Sequence, residues 1–184
     1  MQFFCSILLH NTLHMWKSKR NVRITYTALP PSDPTLKDAD TDRLDDLVEY
    51  QTLNSEKVKT VHGVDKAASL GAWNWLGKGW LMIASSHWEV LGWGCYCHGQ
   101  EREGRIGEGE DWMTTYFAKT LFTPAGVDVY SRRGGLSEGC LEGIKEALKG
   151  VGEGPGDESF VKLVNELFEV KHDGESNGNG KGKG

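Results

Sequence analysis

The sequence predicts a mainly β fold, an antiparallel barrel of about eight strands with two C-terminal helices. Five of the seven tryptophans lie between Trp73 and Trp93, interleaved with glycines and β-branched or aromatic residues, a composition that suits twisted strands. Segments of strand-like alternation recur along the chain, separated by proline, glycine and asparagine turns. Helical spacing of apolar residues follows only after Leu136.

Taken in order, Phe3 to Leu9 is an apolar run that lacks the basic leader and cleavage site of a signal peptide and is too short to span a bilayer, so it reads as a first strand. Asn11 to Arg20 is a polar connection. Asn21 to Leu29 alternates, with Val22, Ile24 and Tyr26 on one face and Arg23, Thr25 and Thr27 on the other, until Pro30, Pro31 and Pro34 remove the ladder donors. Beyond an acidic loop from Asp38 to Asp46, Leu47 to Leu53 and Lys57 to Asp65 form a hairpin about Asn54-Ser55-Glu56. Gly63 to Leu70 reads as a link.

In the tryptophan region a turn is expected at Leu76 to Gly79. After it, Trp80, Met82, Ala84, Ser86, Trp88 and Val90 share one face of an extended chain, opposite Leu81, Ile83, Ser85, His87, Glu89, Leu91 and Trp93. Cys95 to Asp111, rich in glycine and glutamate, reads as a loop. Trp112 to Phe122 and Gly126 to Arg132 form the last hairpin across Thr123-Pro124-Ala125-Gly126.

A helix over Leu136 to Lys149, capped by Ser137, aligns Leu141, Ile144, Leu148 and Val151. A second over Asp157 to Val170 aligns Phe160, Val164, Leu167 and Phe168. Both stripes need an apolar surface, and the outward Leu81, Ile83, Leu91 and Trp93 are expected to provide it. Residues 1–14 are set apart as either a separate N-terminal segment or an altered first strand, 15–172 form the barrel with its helices, and the glycine-rich residues 173–184 have nothing to bury and are expected to be disordered.

Composition narrows the function. Twenty-one basic against 26 acidic residues give a net charge of −5, and no cationic block is long enough to track a phosphate backbone, which argues against nucleic acid. No segment has transmembrane length, so no membrane insertion is expected. The four cysteines, Cys5, Cys95, Cys97 and Cys140, form no paired framework and no glycosylation sequon is present, which points to a reducing, cytoplasmic setting.

The motifs that suggest metals or catalysis are weak. Asp38, Asp40, Asp42 and Glu49 have the carboxylate spacing of a calcium loop, but Arg43 stands where a sharp turn needs glycine and Asp45 where an apolar residue belongs. Cys95, Cys97 and His98 offer soft ligands to zinc, yet only the distant His87 or Cys140 could complete a tetrahedral set. GAWNWLGKG, from Gly71 to Gly79, is one residue too long for a phosphate loop. His87 beside Glu89 has the makings of an acid–base pair, but both fall on the face assigned outward. No nucleophile elbow is present and no cofactor is called for.

A barrel of this size has one interior, and the expected wall of its cavity is Val22, Ile24, Tyr26, Val48, Tyr50, Trp80, Met82, Trp88 and Val90. The implied activity is binding of a small hydrophobic molecule such as a lipid, fatty acid or isoprenoid-like metabolite, in preference to catalysis. Two competing readings, and a haem-binding variant of this first one, make distinct demands. An enzyme acting on a hydrophobic metabolite, an isomerase or similar, would use His87, Glu89 or Tyr116 for proton transfer, and would need such groups to converge inside the cavity. A protein-interaction module would need Leu81, Leu91 and Trp93 uncovered. A haem carrier would need an inward histidine.

Four blocks, MWKSKRNVRITYTAL from Met15, LDDLVEYQ from Leu44, GKGWLMIASSHWEVLGWG from Gly77 and YFAKTLFTPAGVDVYSR from Tyr116, resemble fungal lipocalin-like proteins of the calycin superfamily. The resemblance covers most of Met15 to Asp173. It implies an eight-stranded barrel open at one end, a helix packed outside it, and a cavity for a small hydrophobic molecule. The chain departs from the pattern in one respect. The Gly-x-Trp that lipocalins usually carry on the first strand is missing from Met1 to Leu9, and Gly71-Ala72-Trp73 lies too late to replace it.

Overall fold

The computed structural model describes residues 3–30, 43–69, 71–97, 100–102, 110–132, 134–152 and 158–173. Strands β1 (Phe3–Asn11), β2 (Lys19–Ala28), β3 (Arg43–Thr52), β4 (Lys59–Ser69), β5 (Ala72–Gly77) and β6 (Ser85–Cys97) pair in chain order. A short β7 (Gln100–Arg102) folds back on β6, and β8 (Glu110–Phe117) and β9 (Gly126–Ser131) complete the circuit. All neighbours are antiparallel, and β9 pairs with β1, so eight strands close into a barrel. Among the described residues, closure leaves no long unpaired edge to recruit another chain. The C-terminal elements are α1 (Glu138–Val151), α2 (Glu158–Asn165) and β10 (Phe168–Glu169).

The core has two parts because the barrel wall has two faces. Inside, Leu8, Val22, Ile24, Tyr130 and Val170 are buried, with Trp16, Tyr26, Val48, Tyr50 and Met113 packed against them. Outside, Val127 and Val129 of β9 meet Cys140, Ile144 and Leu148 of α1 and Val164 of α2. Helix α1 starts where the Ser137 hydroxyl accepts the Cys140 amide at 3.3 Å, and it carries Glu138 in its first turn and Lys149 in its last, matching the helix dipole.

One end of the barrel is filled. Trp16, on the 3-10 turn between β1 and β2, packs edge-on to Tyr50 with ring centroids 5.4 Å apart. The Trp75 indole lies over Gly63, where an added Cβ would stand 2.2 Å from the ring nitrogen. Gly126 is likewise pressed by Phe117 and by the Thr12 hydroxyl. The opposite end is open.

Several expectations need correction. Trp80 and Met82 do not lie on a strand. Gly79, at φ +62, starts a 3-10 turn over Gly79–Leu81 that folds Leu81 back over Gly77, and the alternation assumed through this segment is lost. Trp80 and Met82 are therefore 84% and 66% exposed. The expected link from Gly63 to Leu70 is largely strand, since β4 continues to Ser69.

The helices cover β9, Trp112, Tyr116 and Leu91, and not the expected set with Leu81, Ile83 and Trp93. A register shift between Val90 and Gly92 sets Trp93 opposite Met113, on the inner side of the wall, where it is 66% exposed at the open rim. Val151 is exposed, and Cys140 takes its place in the buried stripe of α1.

The second helix is shorter than expected. It stops at Asn165, and Phe168 belongs to β10, which pairs with β1 at His10 and Asn11, beyond the Phe3–Ile7 stretch bonded to β2. Asp173 is held as well. It forms an ion pair with buried Arg20, accepts from the Asn21 side chain at 2.6 Å and donates its amide to Asn21 Oδ1 at 2.8 Å. The remainder of the expected tail, 174–184, and the loop acids Asp38, Asp40 and Asp42 lie outside the described residues.

Candidate binding cavity

At the open end the wall encloses a cavity of about 390 Å³. Alternation brings Tyr26 from β2, Leu44 from β3, Trp73 from β5, Trp88 and Val90 from β6, and Met113 and Tyr130 from β8 and β9 to its surface. Trp73 and Trp88 are cross-strand partners whose rings stack at 5.9 Å, and Tyr26 meets Trp88 at 5.8 Å. Asp111 and Ser6 are polar members of the lining, and Arg132 is an exposed cation in it.

Beneath this aromatic layer the interior turns acidic. Asp46 stands directly opposite Tyr26 across β2 and β3, and Asp65 directly opposite Leu44 across β3 and β4. Asp65 is fully buried and accepts the Trp88 indole N–H at 2.7 Å. Asp128 accepts from the Asn11 side chain and from the Tyr130 hydroxyl, the latter at 2.5 Å. Oδ1 of Asp46, Oδ2 of Asp65 and Oδ1 of Asp111 are buried with no hydrogen-bond partner among the described residues. A buried acceptor left unpaired costs about 1–3 kcal/mol.

Burial sets the protonation of this layer. It raises the Asp46 carboxyl to about 8, with the neighbouring Asp65 adding to the rise and the Trp75 indole opposing it. It raises Asp65 to about 6 against the Trp88 hydrogen bond, and Asp128 to about 7 against the Tyr130 hydrogen bond. The Tyr26 phenol is held well above its ordinary range by burial first and then by Asp46, Asp65 and Asp128. Tyr130 is raised by burial and by Asp128. The site is an apolar, aromatic chamber whose lining residues Tyr26, Trp88 and Tyr130 are backed by buried acids.

Of the residues expected to line a cavity, Tyr26, Trp88 and Val90 do so. Val22, Ile24 and Val48 belong to the packed interior below it, and Tyr50 packs against Trp16 at the filled end. Trp80 and Met82 are outside, for the reason given above. The proposed acid–base groups do not converge. His87 is exposed and bonded to Asn74 Oδ1 at 2.8 Å, Glu89 is exposed, and Tyr116 lies on the outer wall against Phe160. The outer patch is dispersed too, with Leu91 under the helices and Trp93 at the cavity rim.

No histidine among the described residues lines the cavity, and no described group of three or more His, Cys, Asp or Glu side chains is placed to hold a metal ion. Among the same residues, no helix is long and apolar enough to cross a membrane.

Sequence reasoning missed Trp73, Met113 and Tyr130 and the aspartates. A signal was present for Asp46, which has the same parity as Val48 and Tyr50. In Val127-Asp128-Val129-Tyr130 the alternation points the other way. Its apolar members look inward on paper but face the helices, which leaves Asp128 and Tyr130 inside.

The fold and this chamber define a class of protein: a closed eight-stranded antiparallel barrel with a ligand-sized cavity at one mouth. No family model and no curated protein matches the chain.

Proposed function

We propose that the barrel binds a small, largely apolar molecule, non-covalently, in the cavity at its open end. The observation that carries this reading is an unfilled volume of about 390 Å³ walled by Tyr26, Trp73, Trp88, Val90 and Met113, in a molecule whose other end is packed. The size falls within the range of small-molecule sites, and concave apolar walls with a few polar groups are their usual chemistry. Affinity comes from burial, at about 25 cal/mol per Å² of apolar surface removed from water. The resemblance to lipocalin-like proteins supports the same reading.

Titration with the neutral fluorophore N-phenyl-1-naphthylamine tests it. Saturable binding with one site per chain is expected, accompanied by quenching of tryptophan emission. Trp88→Ala should weaken that binding about tenfold, the equivalent of about 1.4 kcal/mol, through loss of a stacked wall. Failure of the wild-type protein to bind the probe, or an affinity unchanged in the variant, would count against the assignment.

A further inference from the structure

Three buried acids stand in or beside the cavity wall. Asp111 stands in the cavity wall, and Asp46 and Asp65 stand opposite the lining residues Tyr26 and Leu44. Each has one buried oxygen with no hydrogen-bond partner among the described residues, and Asp46 and Asp65 are 7% and 0% exposed. Such oxygens lack donors, and a purely hydrocarbon guest supplies none.

Three unpartnered acceptors from three strands call for a guest with several N–H or O–H groups. Burial disfavours the charged forms of Asp46 and Asp65, and a cation beside them would restore their ionisation, which favours a positive guest over a neutral one. The walls agree with this choice. Tyr26, Trp73 and Trp88 all line one space, with centroids 5.8 and 5.9 Å apart along the series, and aromatic rings attract an organic cation. Among the described residues the carboxylates are not grouped to ligate one metal ion, and an ammonium with three divergent donors makes no such demand on geometry. The lining also contains the cation Arg132, but it is exposed rather than buried with the acids.

Resting on the binding reading above, we infer that the natural ligand class is a small hydrophobic primary amine. Its ring or alkyl body lies between Trp73, Trp88 and Met113, and its ammonium donates to the unpartnered oxygens of Asp46 and Asp65. No bond is made or broken. The apolar body supplies burial, and the buried acids supply the discrimination against equally greasy alcohols and acids.

Three compounds with one ring system separate charge from burial: 2-(1-naphthyl)ethylamine, 2-(1-naphthyl)ethanol and 1-naphthylacetate. Each is used to displace N-phenyl-1-naphthylamine from the full-length protein. The amine should displace the probe at a concentration at least about tenfold lower than the alcohol, and the acetate should be the weakest of the three. In Asp65→Asn and Asp46→Asn the gap between amine and alcohol should shrink to about twofold, with affinity for the neutral probe retained as the sign of an intact chamber.

If the wild-type protein binds the probe and takes amine and alcohol equally well, the amine inference is overturned and the cavity reading stands. That comparison needs no variant to fold. If the wild-type protein binds neither the probe nor any of the three, the cavity reading itself fails. A preference for amine that survives in both variants would also overturn the assignment to Asp46 and Asp65.

Discussion

Asp46, Asp65 and Asp128 reverse the usual pH dependence of a carboxylate. In the unfolded chain they lose their protons near the ordinary value of 3.8, whereas in the barrel they hold them until about 8, 6 and 7 respectively. Between these limits the folded state binds more protons than the unfolded one, so stability falls as pH rises through that window. Ligand-free protein should therefore melt at a higher temperature near pH 5 than near pH 8.5. Asp46→Asn, which keeps the shape and removes the ionisation, should flatten that difference. Thermal melts of both proteins across the range provide the check, and a melting temperature that climbs steadily toward pH 8.5 in the wild type would contradict the burial of these groups. Gly63 provides a second test at this scale. The Trp75 ring would lie 2.2–2.7 Å from an added Cβ, so Gly63→Ala should cost about 1–3 kcal/mol in urea unfolding through overpacking. The need for a glycine there was not legible in the sequence, because it comes from a ring on the neighbouring strand.

Among the elements, α1 and the β5–β6 connection illustrate opposite outcomes of pattern reading. The apolar stripe and Ser137 cap of α1 are local features, and the helix forms where they place it. Ile144 is 4% exposed against Val127 and Val129, so Ile144→Ala should destabilise the protein by about 2–5 kcal/mol. Val151→Ser, at an exposed position, should fall within about 0.5 kcal/mol of wild type in the same denaturant titration. The β5–β6 connection defeated the pattern because alternation has meaning only while the chain stays extended, and Gly77 and Gly79 end that condition. Trp80→Ser and Met82→Ser should consequently leave probe affinity in the cavity unchanged. A loss comparable with that of Trp88→Ala would mean that the turn closes over the ligand.

At the scale of the whole molecule, the pairing of β1 with β9 converts a sheet into a container, and unequal filling of its two ends makes one end a cavity. The sequence by itself determined the class of fold, most of the strands, the helix cap and the aromatic character of the wall, since these follow from alternation, capping and turn residues that act over a few positions. Only the tertiary structure decided which face of each strand looks inward. Val127-Asp128-Val129-Tyr130 alternates equally well for either assignment, and the helices settled it by covering the valines and leaving the aspartate and tyrosine inside. The layer of buried acids was decided in the same way, because its members are scattered over β3, β4 and β9 and acquire a common environment only when the barrel closes. Local periodicity fixes the two sides of a strand, and the packing of distant elements fixes which of them is withdrawn from water.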